Sequence, residues 1–285
     1  MSSLDTCSRP NLIIGCGYLG RRVAARWLRA GRRVAALTRG NSSSLASIGI
    51  EPIVGDVLHP ESLQRLPPAA TVLYAVGMDR SAGASMHDVY VGGLKNVLDA
   101  LPDCARFIYV SSTGVYGQSD GDWVNEDSPT EPTEESGRVV LEAERLIKSR
   151  LTSFTILRFA GLYGPDRLLR KAAILKGEPL VGDSEKWLNL IHVDDGADAV
   201  LALEAHISSG ETYNIVDNEP THRRDFYELL AKLLNAPPAA FDHRPEPGSA
   251  NRRVGNRKVT NAVNWRPRLF NYQQGLPAAV AASTL

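Results

Sequence analysis

A short apolar strand that breaks into three glycines and then into a helix is the strongest constraint in this chain: residues 11–24 read NLIIGCGYLGRRVA. Leu12, Ile13 and Ile14 predict a buried strand, and Val23, Trp27 and Leu28 fall near helical spacing in the segment that follows. Strand, glycine loop and helix, in that order, are the context in which G-x-G-x-x-G carries meaning. Gly15 allows a tight turn, Gly17 lets backbone approach a pyrophosphate, and Gly20 lets the helix pack against the strand. The helix then presents free N–H groups and the positive end of its dipole to phosphates. A dinucleotide is the expected ligand, with Tyr18 and Leu19 completing its loop.

The rhythm of the next 140 or so residues extends that unit. Strand-like runs at 33–37, 51–54, 71–76, 106–110 and 154–159 alternate with helical stretches such as 88–100 and 138–150. Short apolar strands separated by helices imply a parallel sheet covered on both faces. After YGPDRLLR the pattern turns to loops, prolines and fewer strands, until FYELLAKLL predicts one late helix. NAPPAAFDHRPEPGSANRR reads as an extended loop. The expected fold is α/β: a doubly wound parallel sheet over residues 10–165, with a smaller C-terminal substrate lobe over 166–285 that is interleaved with it through 186–216. Its ligand cleft is expected at the carboxyl ends of the strands.

Composition narrows the class of partner. Lysine plus arginine, 32, equals aspartate plus glutamate, 32, which argues against nucleic acid or an anionic membrane. Three widely spaced cysteines, Cys7, Cys16 and Cys104, make neither a disulfide framework nor a metal site. Cys16 reads as a small residue that fits the glycine loop. No run of roughly 18 apolar residues predicts a membrane span. The first residues, MSSLDTCSRP, lack a signal-peptide layout, so the cytoplasm is the expected compartment.

Five further stretches then resemble the extended short-chain dehydrogenase/reductases, the NAD-dependent epimerase/dehydratase family, in order along nearly the whole chain. VGDVLHPESL resembles the family's third strand and loop, FIYVSSTGVYG its fifth strand, and TILRFAGLYGP its sixth strand and Tyr-Gly-Pro turn. NLIHVDDGADAVLALE and TYNIVDNEP resemble its later segments. The resemblance implies a Rossmann domain, a nicotinamide cofactor and a small-molecule substrate such as a sugar nucleotide, with a homodimer as one expected assembly. It places Asp56 on the adenine, with Val57 beside it, and Ala75, Val76 and Gly77 along the cofactor.

The family's chemistry uses a serine or threonine and a Tyr-x-x-x-Lys pair on one helix face. The resemblance puts Ser112, with Thr113 beside it, at the hydroxyl position. Aligning SGRVVLEAERLI on the family pattern puts Ser136 at the tyrosine and Val140 at the lysine, and no Tyr-x-x-x-Lys occurs elsewhere. A serine hydroxyl is a far poorer acid than a phenol, and valine supplies neither charge nor a ribose contact. This marks an atypical branch. Tyr90, where extended members carry an asparagine facing the active site, and Tyr116 are the candidate replacement acids, with packing as the alternative for both. Gly161 stands at the family's substrate-contacting asparagine.

At the end of the second strand the acidic residue that would favour NAD is missing. Thr38 and Arg39 occupy that corner instead, and a guanidinium there suits the 2′-phosphate of NADP. NADP is the preferred cofactor and NAD the alternative. Arg21 and Arg22 stand near the expected pyrophosphate. Arg252 and Arg253, in the basic stretch NRRVGNRK, are candidate clamps for an anionic substrate. His192, Asp194 and Asp195 crowd too closely for a metal set, and no metal is expected. Two functions follow: an oxidoreductase that uses Ser112 or Thr113 beside the nicotinamide, or a cofactor-binding sensor or scaffold without turnover.

Overall fold

The computed structural model describes residues 9–40, 42–79, 83–206, 210–244 and 249–284; Cys7 and residues 245–248 of the proline-rich stretch lie outside them. One sheet holds seven strands: β1 (Asn11–Ile14), β2 (Val34–Thr38), β3 (Glu51–Val54), β4 (Ala69–Tyr74), β5 (Cys104–Ser112), β6 (Phe154–Phe159) and β7 (Glu211–Ile215). Their order is β7-β6-β5-β4-β1-β2-β3, and the ladders that join β3, β2, β1, β4 and β5 are parallel. The order reverses between β1 and β4, the switch point of a Rossmann sheet. β1 and β6 are buried along their whole length, as mostly apolar strands inside a covered parallel sheet are, although β6 carries Thr155 and Arg158. β3 lies at the edge, and there Pro52 is tolerated because one side of the strand needs no ladder donor.

Among the helices are α1 (Tyr18–Arg29), α2 (Gly93–Ala100), α3 (Glu135–Arg150), α4 (Val193–Ala205), α5 (Arg223–Leu233), α6 (Arg257–Val263) and α7 (Tyr272–Ala281). α1 buries Leu19, Val23, Ala24 and Trp27 on one face. The helix expected over 88–100 begins as a π-helical turn, Asp88–Gly92, before α2. Gly93 opens α2 because a side chain there would put its Cβ 2.7 Å from Val57 Cγ2. β5 starts earlier than its apolar run, since Cys104 and Arg106 still pair with Ala69 and Thr71 of β4.

The chain divides into two compact units. One holds the chain through Ser112, Glu135–Arg158 and Val200–Tyr213; the other holds Thr113–Glu134, Phe159–Ala199 and the chain from Asn214 onward. This division crosses the expected boundary at 165, because residues 113–134 cluster with the second unit. The first has a core of Leu12, Ile14, Val72, Leu94, Phe107 and Ile156 with their neighbours. The second is built on Tyr163, Ile174, Leu190, Phe226, Leu230 and Leu276, with short paired strands. The proline-rich stretch contributes one of those strands, Phe241–Asp242, parallel to Leu180–Val181.

Within the first unit Glu204 ties the sheet to α1. It is 3% exposed. Its carboxylate accepts from Trp27 Nε1 at 2.8 Å and from Thr71 Oγ1 at 2.7 Å, and it pairs with Arg32. Truncation leaves the buried Trp27 and Thr71 donors without an acceptor, at about 1–3 kcal/mol in all, while the half-exposed Arg32 returns to water at little cost. Glu204→Ala is expected to lose that total in urea denaturation, and a loss below about 1 kcal/mol would contradict the account.

Candidate functional site

The turn after β1 is built on three glycines with three different surroundings. Gly15 has φ +93°, and a Cβ there would lie 2.5 Å from the carbonyl oxygen of Ala75. A Cβ on Gly20 would lie 2.7 Å from the Gly15 carbonyl oxygen and 3.2 Å from Ile13 Cγ2. Gly17 differs: nothing lies within 4 Å of its Cβ position. It is also the residue before α1, where no side chain caps the helix and the first turn holds no acidic residue. Open backbone at an uncapped helix N-terminus is the setting a phosphate takes. A dinucleotide pyrophosphate fits it.

The remaining residues expected along the cofactor surround this turn or perform local tasks. Ala75 donates its N–H to the Ile14 carbonyl at 2.8 Å, which draws the strand ends together. A Cβ on Gly77 would meet nothing within 4 Å. Thr38 Oγ1 accepts the Gly40 N–H at 3.4 Å. Arg39 pairs with Asp79 at 2.9 Å, a partner sequence reasoning missed. Asp56 Oδ1 accepts the Leu58 N–H, and Val57 is packed into the core. Arg21 reaches Ser44, while Arg22 lies over the Tyr18 ring at 4.2 Å and donates to the Tyr18 carbonyl. Burial pushes the Cys16 thiol up to about 11, so it is no thiolate nucleophile at neutral pH.

Ser112 ends β5 and is half-buried; Thr113 follows it in a 3₁₀ turn. The strand end is held from beneath by a buried network. Ser111 Oγ donates to Glu144 Oε1 at 2.6 Å, and Arg158 grips the same carboxylate with two bonds of 2.9 and 2.8 Å. The two candidate phenols have different fates. Tyr116 is fully buried and its hydroxyl donates to Asn214 Oδ1 at 2.8 Å, as the packing alternative expects. Tyr90 is half-buried on the π-helical turn, and its oxygen accepts the Met78 N–H at 3.2 Å. That bond leaves the phenolic proton to be donated. The turn packs against α3, where Ser136 is exposed and Val140 half-buried.

In the second unit Arg252 donates from Nη2 to the Thr113 carbonyl at 2.7 Å. Arg253 has partners of its own within this unit. Its guanidinium lies over the rings of Trp123 and Trp187, at 5.2 and 5.1 Å, and its Nε donates to the Gly121 carbonyl at 2.7 Å. Gly161 leaves no room for an asparagine side chain without adjustment, since a Cβ there would stand 3.1 Å from the Asn189 carbonyl oxygen. His192 Nδ1 accepts the Asp194 N–H, and Asp195 accepts the N–H groups of Arg268 and Leu269, so these side chains brace loops. A cavity of about 780 Å³, which sequence reasoning missed, is walled by Trp123, Glu126, Asp217, Asn256 and Lys258 among others. Burial holds the Asp217 carboxyl well above the usual carboxylate range. Among the described residues no three His, Cys, Asp or Glu gather as a metal set, and no helix is long and apolar enough to cross a membrane.

Comparison with known proteins sets this geometry among relatives. The model of the NAD dependent epimerase/dehydratase family matches residues 12–216. Protein YeeZ of Escherichia coli strain K12 is 31% identical over 275 residues, covering 92% of this chain and 94% of that protein. UDP-glucose 4-epimerase of Thermotoga maritima, solved with UDP-glucose, shares the fold at a TM-score of 0.79 and 17% identity, covering 96% of this chain and 98% of that one. So does dTDP-glucose 4,6-dehydratase of Bacillus anthracis in complex with NAD, at 0.79 and 19%, covering 96% of each chain.

The three glycines predict an order of stabilities. Gly15→Ala and Gly20→Ala push a Cβ into backbone and are expected to cost about 1–3 kcal/mol each. Gly17→Ala is expected to be the smallest loss. Chemical denaturation checks the order, and equal losses at all three positions would contradict the separate roles.

Proposed function

We propose that this chain, which belongs to the NAD-dependent epimerase/dehydratase family, binds a nicotinamide dinucleotide at the glycine loop and works as an oxidoreductase with a rebuilt proton relay. The observation that carries the reading is the open backbone of Gly17 between two glycines that tolerate no side chain. When bound, the dinucleotide supplies the hydride chemistry. The chain's own residues do the rest. The loop and the first turn of α1 hold the pyrophosphate. Arg39 turns from Asp79 toward a 2′-phosphate, which favours NADP over NAD. The hydroxyl of Ser112, or of Thr113 beside it, polarises the substrate oxygen.

The proton is the unusual part. In this reading Ser136 and Val140 stand where the family's tyrosine and lysine stand, and neither moves a proton near neutral pH. Tyr90 takes that role. The bond from Met78 N–H to its oxygen supports it, because it holds the phenol in place as an acceptor and leaves its proton to be donated. Its position on the turn packed against α3 also supports it. The second reading, a sensor or scaffold without turnover, is favoured by the exposure of Ser136 at the position assigned to the tyrosine. Free thiols at Cys16 and Cys104 suit a reducing cytoplasm in either reading.

Oxidation of NADPH by the purified protein against small carbonyl compounds and sugar nucleotides separates the two. Tyr90→Phe is expected to lower kcat by about 10²–10⁴-fold, the usual scale of acid–base help, with NADPH affinity nearly unchanged. Unchanged turnover in Tyr90→Phe would remove Tyr90 from the relay. Tight NADPH binding with no turnover on any compound would favour the sensor.

A further inference from the structure

The cavity of about 780 Å³ is walled by the second unit alone, and neither the glycine loop nor Ser112 contributes to it. Three stretches of chain meet there: 123–127, Asp217 with the residue after it, and 254–258. Asp217 is 3% exposed. Its Oδ1 accepts the Glu219 N–H at 3.2 Å, and its Oδ2 has no hydrogen-bond partner among the described residues. The backbone of Asp217 is held on both sides. Its N–H donates to the Leu190 carbonyl at 2.8 Å, and its own carbonyl accepts from Asn256 Nδ2 at 3.2 Å. The residue is therefore fixed in the wall with one carboxyl oxygen unanswered.

What this carboxyl lacks is a cation. The charged groups that act on it are Glu219 and Asp195, both acids, and Tyr163 faces it as a buried neutral phenol. Asp195 is occupied by Arg268 and two backbone N–H groups, and Glu219 by Asn271. In the wall itself Glu126 and Asp127 are matched in number by Arg257 and Lys258, and among the described residues none of the four completes Asp217 Oδ2. Burial favours the protonated acid, and an ionised Asp217 needs one more positive charge than the wall holds. The same wall carries Trp123, which is 56% exposed and already draws the Arg253 guanidinium to within 5.2 Å of its ring. An exposed indole offers both apolar area and a face that attracts cations.

We propose that this cavity binds a protonated organic amine, whose ammonium pairs with Asp217 and whose carbon skeleton lies along Trp123, Val124 and Val254. The ammonium takes the place of the carboxyl's proton. As the amine enters, Asp217 releases one proton to water, and the charge of the wall is balanced. An alcohol of the same shape meets the same apolar surface but brings no charge, so the site discriminates against it. The inference stands apart from the oxidoreductase reading, since it uses neither the dinucleotide nor Ser112.

Calorimetric titration with matched pairs of probes tests this. Benzylamine is compared with benzyl alcohol, and putrescine with butanediol, on the full chain and on Asp217→Asn and Trp123→Leu. At least one amine is expected to bind the unmodified protein more tightly than its alcohol, and the pair that responds distinguishes an aromatic from an aliphatic skeleton. That affinity is expected to rise from about pH 5 to about pH 8, by at most about tenfold per pH unit, because one proton leaves as the charged amine enters. Asp217→Asn is expected to weaken the amine roughly tenfold to a hundredfold, the scale of a hydrogen bond to a charged group, and to flatten its pH dependence. Trp123→Leu is expected to weaken it about twofold to fivefold. Thermal melting checks that both variants are folded. Equal affinity for amine and alcohol in both pairs, or an amine affinity that does not change with pH, overturns the proposal on the unmodified protein alone. So does undiminished amine binding in folded Asp217→Asn.

Discussion

At the carboxyl end of β1 there is room for backbone and for nothing more. The carbonyl of Ala75 stands where a Gly15 side chain would be, and the carbonyl of Gly15 stands where a Gly20 side chain would be. These two approaches fix the entry of α1, and the helix then delivers Val23 and Trp27 into the core. They also decide which atoms are left exposed. With its neighbours locked, Gly17 presents bare backbone at the helix N-terminus, where among the described residues no side chain caps α1 and its first turn holds no acidic residue. Packing the strand, the turn and the helix this closely leaves that open backbone as a by-product of the fold, and the proposed pyrophosphate contact rests on it.

The same economy governs the buried charges of the first unit. Glu144 and Arg158 satisfy one another and hold Ser111, so the strand that ends in Ser112 is anchored one residue before the hydroxyl it presents. Glu204 gathers Trp27, Arg32 and Thr71. Paired networks of this kind rigidify and specify position more than they stabilise. Arg252 in the second unit and the orphaned Oδ2 of Asp217 break the pattern. Departures from polar satisfaction of this sort concentrate where function has a use for them.

Much of this was legible in the residues, for reasons that are themselves physical. The glycine loop announces itself because its constraint is local: strand, turn and helix lie within twenty residues. Alternation of buried strands with helices is equally local, so the Rossmann sheet was readable throughout. What escaped depends on distant partners. Trp123–Val124 is two residues long, too short for any periodicity, yet it pairs with Arg253–Val254 and draws residues 113–134 into the second unit. Tyr116 and Tyr90 are both plausible acids on paper. Only Asn214, far along the chain, turns the first into a packed hydrogen-bond donor, while Met78 leaves the second with its proton. Arg253 likewise reads as a free cation until two tryptophans close on it.

The account stands on the claim that Gly17 is open because a pyrophosphate lies against it. Titration of the unmodified protein and of Gly17→Val with NADPH and NADH, with circular dichroism to confirm that both are folded, tests that claim most directly. The account predicts that the unmodified protein binds both nucleotides, NADPH more tightly, and that the folded variant binds neither. Undiminished affinity in Gly17→Val, or a folded unmodified protein that binds no dinucleotide, would contradict it.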